Sequence, residues 1–294
     1  MTATEVVLAA PAEAPARRRL RDLLGVAGAV GVTIVGGMVL VAAIGPPLVG
    51  NDGLSPVAEP WAEPRAGLWL GGDDVGKDLF AQLVIGTRAS LAVGIAVGLI
   101  TTVVAAVVGA AAAVGPRWLE ATLMRLSDVM LTLPELPLLI VAAAFLGRGI
   151  DIRIAILASL AWAGAARVVR AGVLSAWSSP HLEVAKAMGA PARHLLIRHA
   201  SYVVAPLLIP IFVRGAMRAV IADASLSFLG LGDPTTPSWG TILYWASASG
   251  AFLTDAWSRW PLPAGLAITV TVVALALIGV AVEDRINPAM RRVR

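Results

Sequence analysis

The chain has 294 residues, a formal net charge of +4, and 58% apolar against 14% charged residues. Soluble domains carry about 25% charged and 45–50% apolar residues, so this balance, with a mean hydropathy of +0.82, excludes a surface that mostly meets water. The chain has no cysteine, which excludes disulfides, thiolate metal sites and a cysteine nucleophile; its basic residues sit between apolar blocks and form no aromatic-interleaved surface for nucleic acid.

Residues 1–22 form a polar tail that ends with Arg17, Arg18, Arg19 and Arg21. The apolar stretch from Leu23 to Ile44 follows. A signal peptide has an apolar core of about 7–15 residues, whereas a bilayer crossing takes about 20, so residues 23–44 are expected to be an uncleaved first transmembrane helix. Residues 45–88, rich in Gly, Pro, Asp and Trp, read as an extramembrane loop. Five more apolar blocks, 89–114, 129–146, 154–173, 203–225 and 262–282, predict a five-helix core over 89–282. Pro134 and Pro137 near the start of the third block point to a tilted or broken helix. Residues 230–260 form a second loop, about 174–202 a third, and 283–294 a closing tail. The expected fold class is therefore an all-α membrane protein with six transmembrane helices.

Lys and Arg accumulate on the cytoplasmic side of short loops. With the N-terminus inside, fifteen of the 23 Lys and Arg residues fall in inner segments, while Arg65, Lys77, Arg88, Arg148, Arg153 and Arg259 fall in outer ones. Both termini are then cytoplasmic. Trp239, Trp245, Trp257 and Trp260 cluster on the outer side, where they read as interface anchors.

Gly71, Gly76 and Lys77 reproduce the start of a phosphate-binding loop. The next residue is Asp78 where Ser or Thr would reach Mg²⁺, and Asp73 and Asp74 would repel phosphates, so the chain is not expected to be its own ATPase. In the inner loop, Ser179 and Pro180 signal a helix start, Glu183 lies in its first turn, Gly189 ends it and Pro191 starts another. This bent element suits docking to a partner. His181, His194 and His199 share the loop without Cys or clustered carboxylates, so they read as surface residues and no metal site is expected. Gly94 and Gly98 have the spacing of a close helix contact.

Arg214 and Arg218 stand inside the fifth block. If that helix starts near Val203, Arg214 is about 16 Å deep at about 1.5 Å per residue, where an unpaired charge costs about 2.5–3.5 kcal/mol. The two share a face, and Asp223, nine residues on, lies on the opposite one. They are expected to line an aqueous translocation path, as a positive collar favouring anionic groups, or to meet an acid on another subunit; snorkelling to the inner interface is the alternative. Asp223 reads as essentially the one carboxylate within the spans, which argues against a stand-alone secondary transporter or membrane enzyme.

The run Glu183-Val184-Ala185-Lys186-Ala187-Met188-Gly189, followed by Arg198 and His199, resembles the EAA loop of permease subunits of ATP-binding-cassette importers. Val184 replaces the usual second Ala, and Ala200 to Val203 lacks the Leu-Pro-Asn that commonly follows. Leu70 to Asp78, with Asp73, Gly76 and Asp78, and then Gly86, Arg88 and Ser90, is similar to the outer segment of the C-type subunit of dipeptide, oligopeptide and nickel importers. So are Ser227, Phe228, Gly230 and Gly232 with Trp239 and Gly240, and the ending Glu283-Asp284-Arg285 with Asn287 and Pro288. The resemblance implies a type I importer permease fold, a coupling helix at Glu183, Ala185 and Gly189 that enters an ATPase cleft, and a site in the bacterial inner membrane. It implies a second permease subunit as heterodimer partner, two cytoplasmic ATPase subunits that use ATP and Mg, and an extracytoplasmic solute-binding protein. No cofactor is expected on this chain. The solute would be a peptide or a related small solute, with nickel as the alternative. The orientation predicts that an impermeant thiol reagent applied to intact cells labels a cysteine at Ser238 but not one at Ser179.

Overall fold

The computed structural model describes residues 15–189, 191–196, 198 and 201–286. Its helices, in chain order, are α1 (Pro15–Val49), α2 (Leu79–Val114), α3 (Arg117–Thr132), α4 (Glu135–Leu146), α5 (Ile150–Trp177), α6 (Pro180–Ala187), α7 (Ala192–Leu195), α8 (Ser201–Leu226), α9 (Trp239–Ala248) and α10 (Pro261–Ile286). Lipid offers backbone amides no partner, so a spanning segment must satisfy them internally as helix. Helices α1, α2, α5, α8 and α10 are each long and apolar enough to cross a membrane, and α3 with α4, bent by 91° at their break, adds a sixth crossing where the pair is counted as one span.

The bend has a local cause. Leu133 precedes Pro134 and is forced into extended backbone at ψ 135°. The third span is thus a broken pair, and it starts at Arg117 because the polar first half of α3 is invisible to an apolar-run criterion. Helix α2 likewise begins ten residues before the expected 89. Asp78 caps it, its Oδ1 accepting from the N–H groups of Phe80 (2.9 Å) and Ala81 (3.2 Å). The first two loop boundaries therefore shift, since α1 extends past Pro46 and Pro47 to Val49 and the loop is 50–78.

Helix α2 runs through the centre, against α5 and α8. A Cβ at Gly94 would lie 2.6 Å from Val220 Cγ2, one at Gly98 2.9 Å from the Ala216 nitrogen, and one at Gly109 2.5 Å from the Ala166 oxygen. Glycine at 94 and 98 thus does what its spacing suggested, setting α2 backbone-to-backbone on α8. Val93, Val97, Leu139, Leu157 and Ala219 form the buried core at this crossing. Helix α1 lies outside, antiparallel to α10, where Gly28 faces Ala281 and Gly31 faces Ala274.

The segments 50–78 and 232–260 pack together at one end of the bundle. In the run that resembles a phosphate loop, Asp73 accepts from the N–H groups of Val75 (3.0 Å) and Lys77 (2.8 Å) and from Gln82 Nε2 (2.9 Å). An aspartate thus occupies the amides a phosphate would need. Gly76 sits at φ 86° with its α-carbon against the Ala58 carbonyl, where a Cβ would be 2.0 Å away. The tryptophans divide: Trp239 and Trp260 are buried, and only Trp245 and Trp257 are exposed. Trp239 Nε1 donates to Thr87 Oγ1 (3.3 Å), and Trp260 packs edge-on against Trp61. Two of the four expected interface anchors are therefore core residues.

Ser238 is also buried, as the cap of α9, so the labelling position on this end is Leu253, 93% exposed. Gly98→Val is expected to force α2 off α8 at a cost of about 1–3 kcal/mol, read as a lower melting temperature of the purified protein in detergent. An unchanged melting temperature would show that the contact tolerates a side chain.

Candidate functional site

Apart from Asp73, Gly76 and Asp78 in the segment 50–78, the expected site residues fall into three places. The first is the bend at the end opposite residues 50–78. There the Ser179 carbonyl accepts from the N–H groups of Leu182 (3.0 Å) and Glu183 (3.1 Å), starting α6 as expected. Gly189 adopts φ 83° with nothing within 4 Å of a built Cβ, the open left-handed geometry that ends a helix. The Pro191 carbonyl then accepts from His194 N–H (2.9 Å), starting α7. Leu182 and Leu195 are buried and anchor the element. Glu183 and Arg198 are exposed, Ala185 is half-buried, and Val184 and Met188 present apolar surface to solvent. His199 lies outside the described residues. Among the described residues no group of three or more His, Asp or Glu is placed to hold a metal ion.

The second place is a cavity of about 490 Å³ between the α3–α4 break, α5 and α8. Its wall is mostly apolar, including Leu131, Leu133, Leu160 and Ile211, but four ionic side chains line it: Arg214, Arg218, Glu135 and Glu283. Arg218 Nη2 donates to Glu135 Oε2 at 2.6 Å, and Arg214 pairs with Glu283. The arginines share a face of the cavity, as their spacing required. Their acids, however, belong to this same chain, so neither another subunit nor an unpaired positive collar is needed to account for them. Glu135 is the first residue of α4 and was missed although it lies inside the apolar block 129–146; an ionisable residue within a span is by itself a site signal. Glu283, assigned to the tail, belongs to the last turns of α10.

The third place is the buried joint between α5 and α8. Arg153 and Asp223, 0% and 2% exposed, approach to 3.1 Å, and Arg153 Nη1 donates to Ser227 Oγ at 2.7 Å. Arg153 was expected in an outer loop; it is instead in the first turn of α5, and it supplies the partner that Asp223 needs. Ser227 opens a wide turn over 227–231 in which Gly230 has φ 81°. Gly232 and Gly240 close over it: a Cβ at Gly240 would be 2.6 Å from Ser227 Cβ, and one at Gly232 2.9 Å. Trp239 N–H donates to Ser90 Oγ (3.1 Å), and Gly86 packs against Ser238. These motif positions thus form one packed joint, outside of which Phe228 and Arg88 remain exposed. Asp233 follows the turn. Slight burial pushes its carboxyl up, but hydrogen bonds from Thr235 and the charge of Arg153 outweigh this and hold it below the usual range.

Comparison with known proteins places this geometry. Residues 105–292 match the family described as binding-protein-dependent transport system inner membrane component. A Brucella ovis protein named as a peptide permease is 34% identical over 75% of this chain and 72% of its own length. The di/tripeptide transport system permease protein DppC of Pseudomonas aeruginosa is 32% identical over 77% and 74%. A Sinorhizobium fredii protein named as a peptide ABC transporter permease is 34% identical over 90% and 91%. Among solved structures, a chain of the MetNI methionine ABC transporter in inward-facing conformations shares the fold, with a TM-score of 0.53 and 20% identity over 70% of this chain and 94% of that one.

Removing one partner of a buried ion pair costs about 3–5 kcal/mol, whereas replacing both with apolar residues can be neutral. Asp223→Asn is therefore expected to lower the melting temperature of the detergent-solubilised protein sharply, and Arg153→Met with Asp223→Leu to recover most of it. Equal loss in both variants would mean that the charges themselves are needed.

Proposed function

We propose a division of labour for this chain, which belongs to the family of binding-protein-dependent transport system inner membrane components and is a permease subunit of an ATP-binding-cassette importer. It forms half of a transmembrane path, a second permease subunit forms the other half, and an extracytoplasmic binding protein delivers the solute. Two cytoplasmic ATPase subunits hydrolyse ATP with Mg, and this chain performs no chemistry. Both termini face the cytoplasm, in keeping with the excess of Lys and Arg in the segments on that side. The relatives named for peptide transport favour a peptide as solute.

The observation that carries this reading is the α6–Gly189–α7 element. It projects with an acidic first turn and an uncovered apolar flank, Val184 and Met188, beside a buried Leu182 that fixes it to the bundle. An exposed apolar patch on a rigid element is suited to a partner surface. In this reading α6 sits in the ATPase cleft, and closure of the ATPases moves it as a lever on α5 and α8. Two further ion pairs, Arg167 with Asp128 and Arg170 with Glu120, tie α5 to α3 near this end, so displacement of α5 carries the broken span with it. Transport then follows as a two-state rearrangement biased by contacts that differ between the states.

Glu183→Lys puts a positive charge on the first turn of α6, where the helix dipole opposes it. In the reconstituted complex, stimulation of ATPase activity by the loaded binding protein should fall by on the order of 5–150-fold, the range of coupling free energies of about 1–3 kcal/mol. Solute binding to the isolated binding protein should not change. Wild-type stimulation in the mutant complex would refute the role of α6.

A further inference from the structure

We propose that Glu135 and Glu283, together with Arg214 and Arg218, form a charge filter that passes solutes carrying both a positive and a negative group and holds back bare ions of either sign. The inference rests on the reading of this chain as half of a transmembrane path, and takes the cavity beside the α3–α4 break as part of that path.

The four ionic groups face one cavity whose remaining wall is largely apolar. They come in two pairs of opposite sign, so the lining is neutral overall yet offers two anion-binding and two cation-binding positions. The arginine side chains are each 63% exposed in this chain, and ion pairs that stay open to solvent hold only weakly. A solute can therefore open such a pair at small cost.

What it gains depends on its charges. A solute with a carboxylate and an ammonium group replaces both partners: its carboxylate takes the guanidinium fork of an arginine, and its ammonium takes the released glutamate. No charge is left alone. A free cation gains a glutamate but breaks that glutamate's pair with an arginine, and a simple anion does the reverse, so each makes one pair for the one it breaks, whereas a solute with both groups makes two. At about 490 Å³ the cavity lies within the about 300–1,000 Å³ of small-molecule sites. The two pairs differ in their anchorage. Both arginines are on α8, but Glu135 begins α4 at the break of the third span and Glu283 is on α10. Opening one pair therefore frees α8 from a different neighbour than opening the other.

The test uses the complete transporter, with its partner permease, ATPases and binding protein, in proteoliposomes. A single cysteine at Leu160 in this cysteine-free chain reports the cavity's potential through its labelling rates with an anionic and a cationic thiosulfonate. In Glu135→Gln with Glu283→Gln, the anionic-to-cationic rate ratio should rise on the order of tenfold, and in Arg214→Gln with Arg218→Gln it should fall by a similar factor, as expected for a charge-lined cleft. ATP-dependent uptake of Ala-Glu-Ala relative to Ala-Lys-Ala, each supplied on saturating binding protein, should move in the same two directions. An unchanged labelling ratio in both variants would overturn the proposal, as would a shifted labelling ratio with an unshifted uptake ratio. If a double variant fails to assemble, the single variants Glu135→Gln and Arg218→Gln, at the more exposed pair, are read by the same two ratios. Absence of ATP-dependent uptake of either peptide by the wild-type complex would instead strike the permease-path reading, and the labelling ratios would still decide whether the pairs set the charge of the cavity.

Discussion

Close approach of α2 to α5 and α8 is the constraint on which the rest of the bundle depends. Between helices in lipid there is little hydrophobic drive, since acyl chains are as apolar as leucine, and association relies on tight packing. Glycine at 94, 98 and 109 supplies that contact, because any side chain at these positions would meet Val220, Ala216 or Ala166 at less than 3 Å. Beside this locked trio the segment from Arg117 to Leu146 breaks at Leu133 and Pro134, and the cavity lies where it breaks.

The same kinds of ion serve two opposite ends in this fold. Arg153 and Asp223 are sealed from water, and Arg153 also donates to Ser227, so their pairing is stiff: opening it would strand a charge in a low-dielectric interior. Arg214 and Arg218 keep much of their surface exposed, and their pairs yield easily. One set therefore fastens α5 to the turn after α8, and the other lies open along the cavity. Burial, more than residue type, separates the two.

How much of this was legible in the sequence follows from the range of each signal. Hydropathy found the five long helices and the apolar half of the bent pair, because a membrane imposes an apolar run of known length. Local backbone chemistry found the Pro134 break, the Gly189 bend and the start of α6. The edges failed where polarity and helix coincide: Gln82, Thr87 and Arg88 look like loop but belong to α2, and the first half of α3 is amphipathic. Hydropathy is also silent about which apolar residues face protein, so Trp239 and Trp260 passed for interface anchors. The partners in ion pairs were illegible for a different reason. Arg153 and Asp223 are 70 positions apart, and Arg214 and Glu283 are 69 apart; no periodicity links residues on separate helices. Glu135 alone was within reach, as a carboxylate inside an apolar block.

The placement of α1 carries a consequence for how the chain is made. Its small-residue face, Gly28 and Gly31, rests on Ala281 and Ala274 of α10, and the Thr271 hydroxyl reaches Met38. The first of the described helices thus takes its main neighbour from the last of them. That face waits for α10 through the synthesis of more than 200 intervening residues, while the other end of α1, at Ala42 and Gly45, packs on α2 at Leu91 and Val84. Until then α1 is held by α2 at its Ala42–Gly45 end, and its long apolar stretch suits the rest of it to lipid. Closure of the bundle is a late event, set by the arrival of residues 261–286 in the membrane.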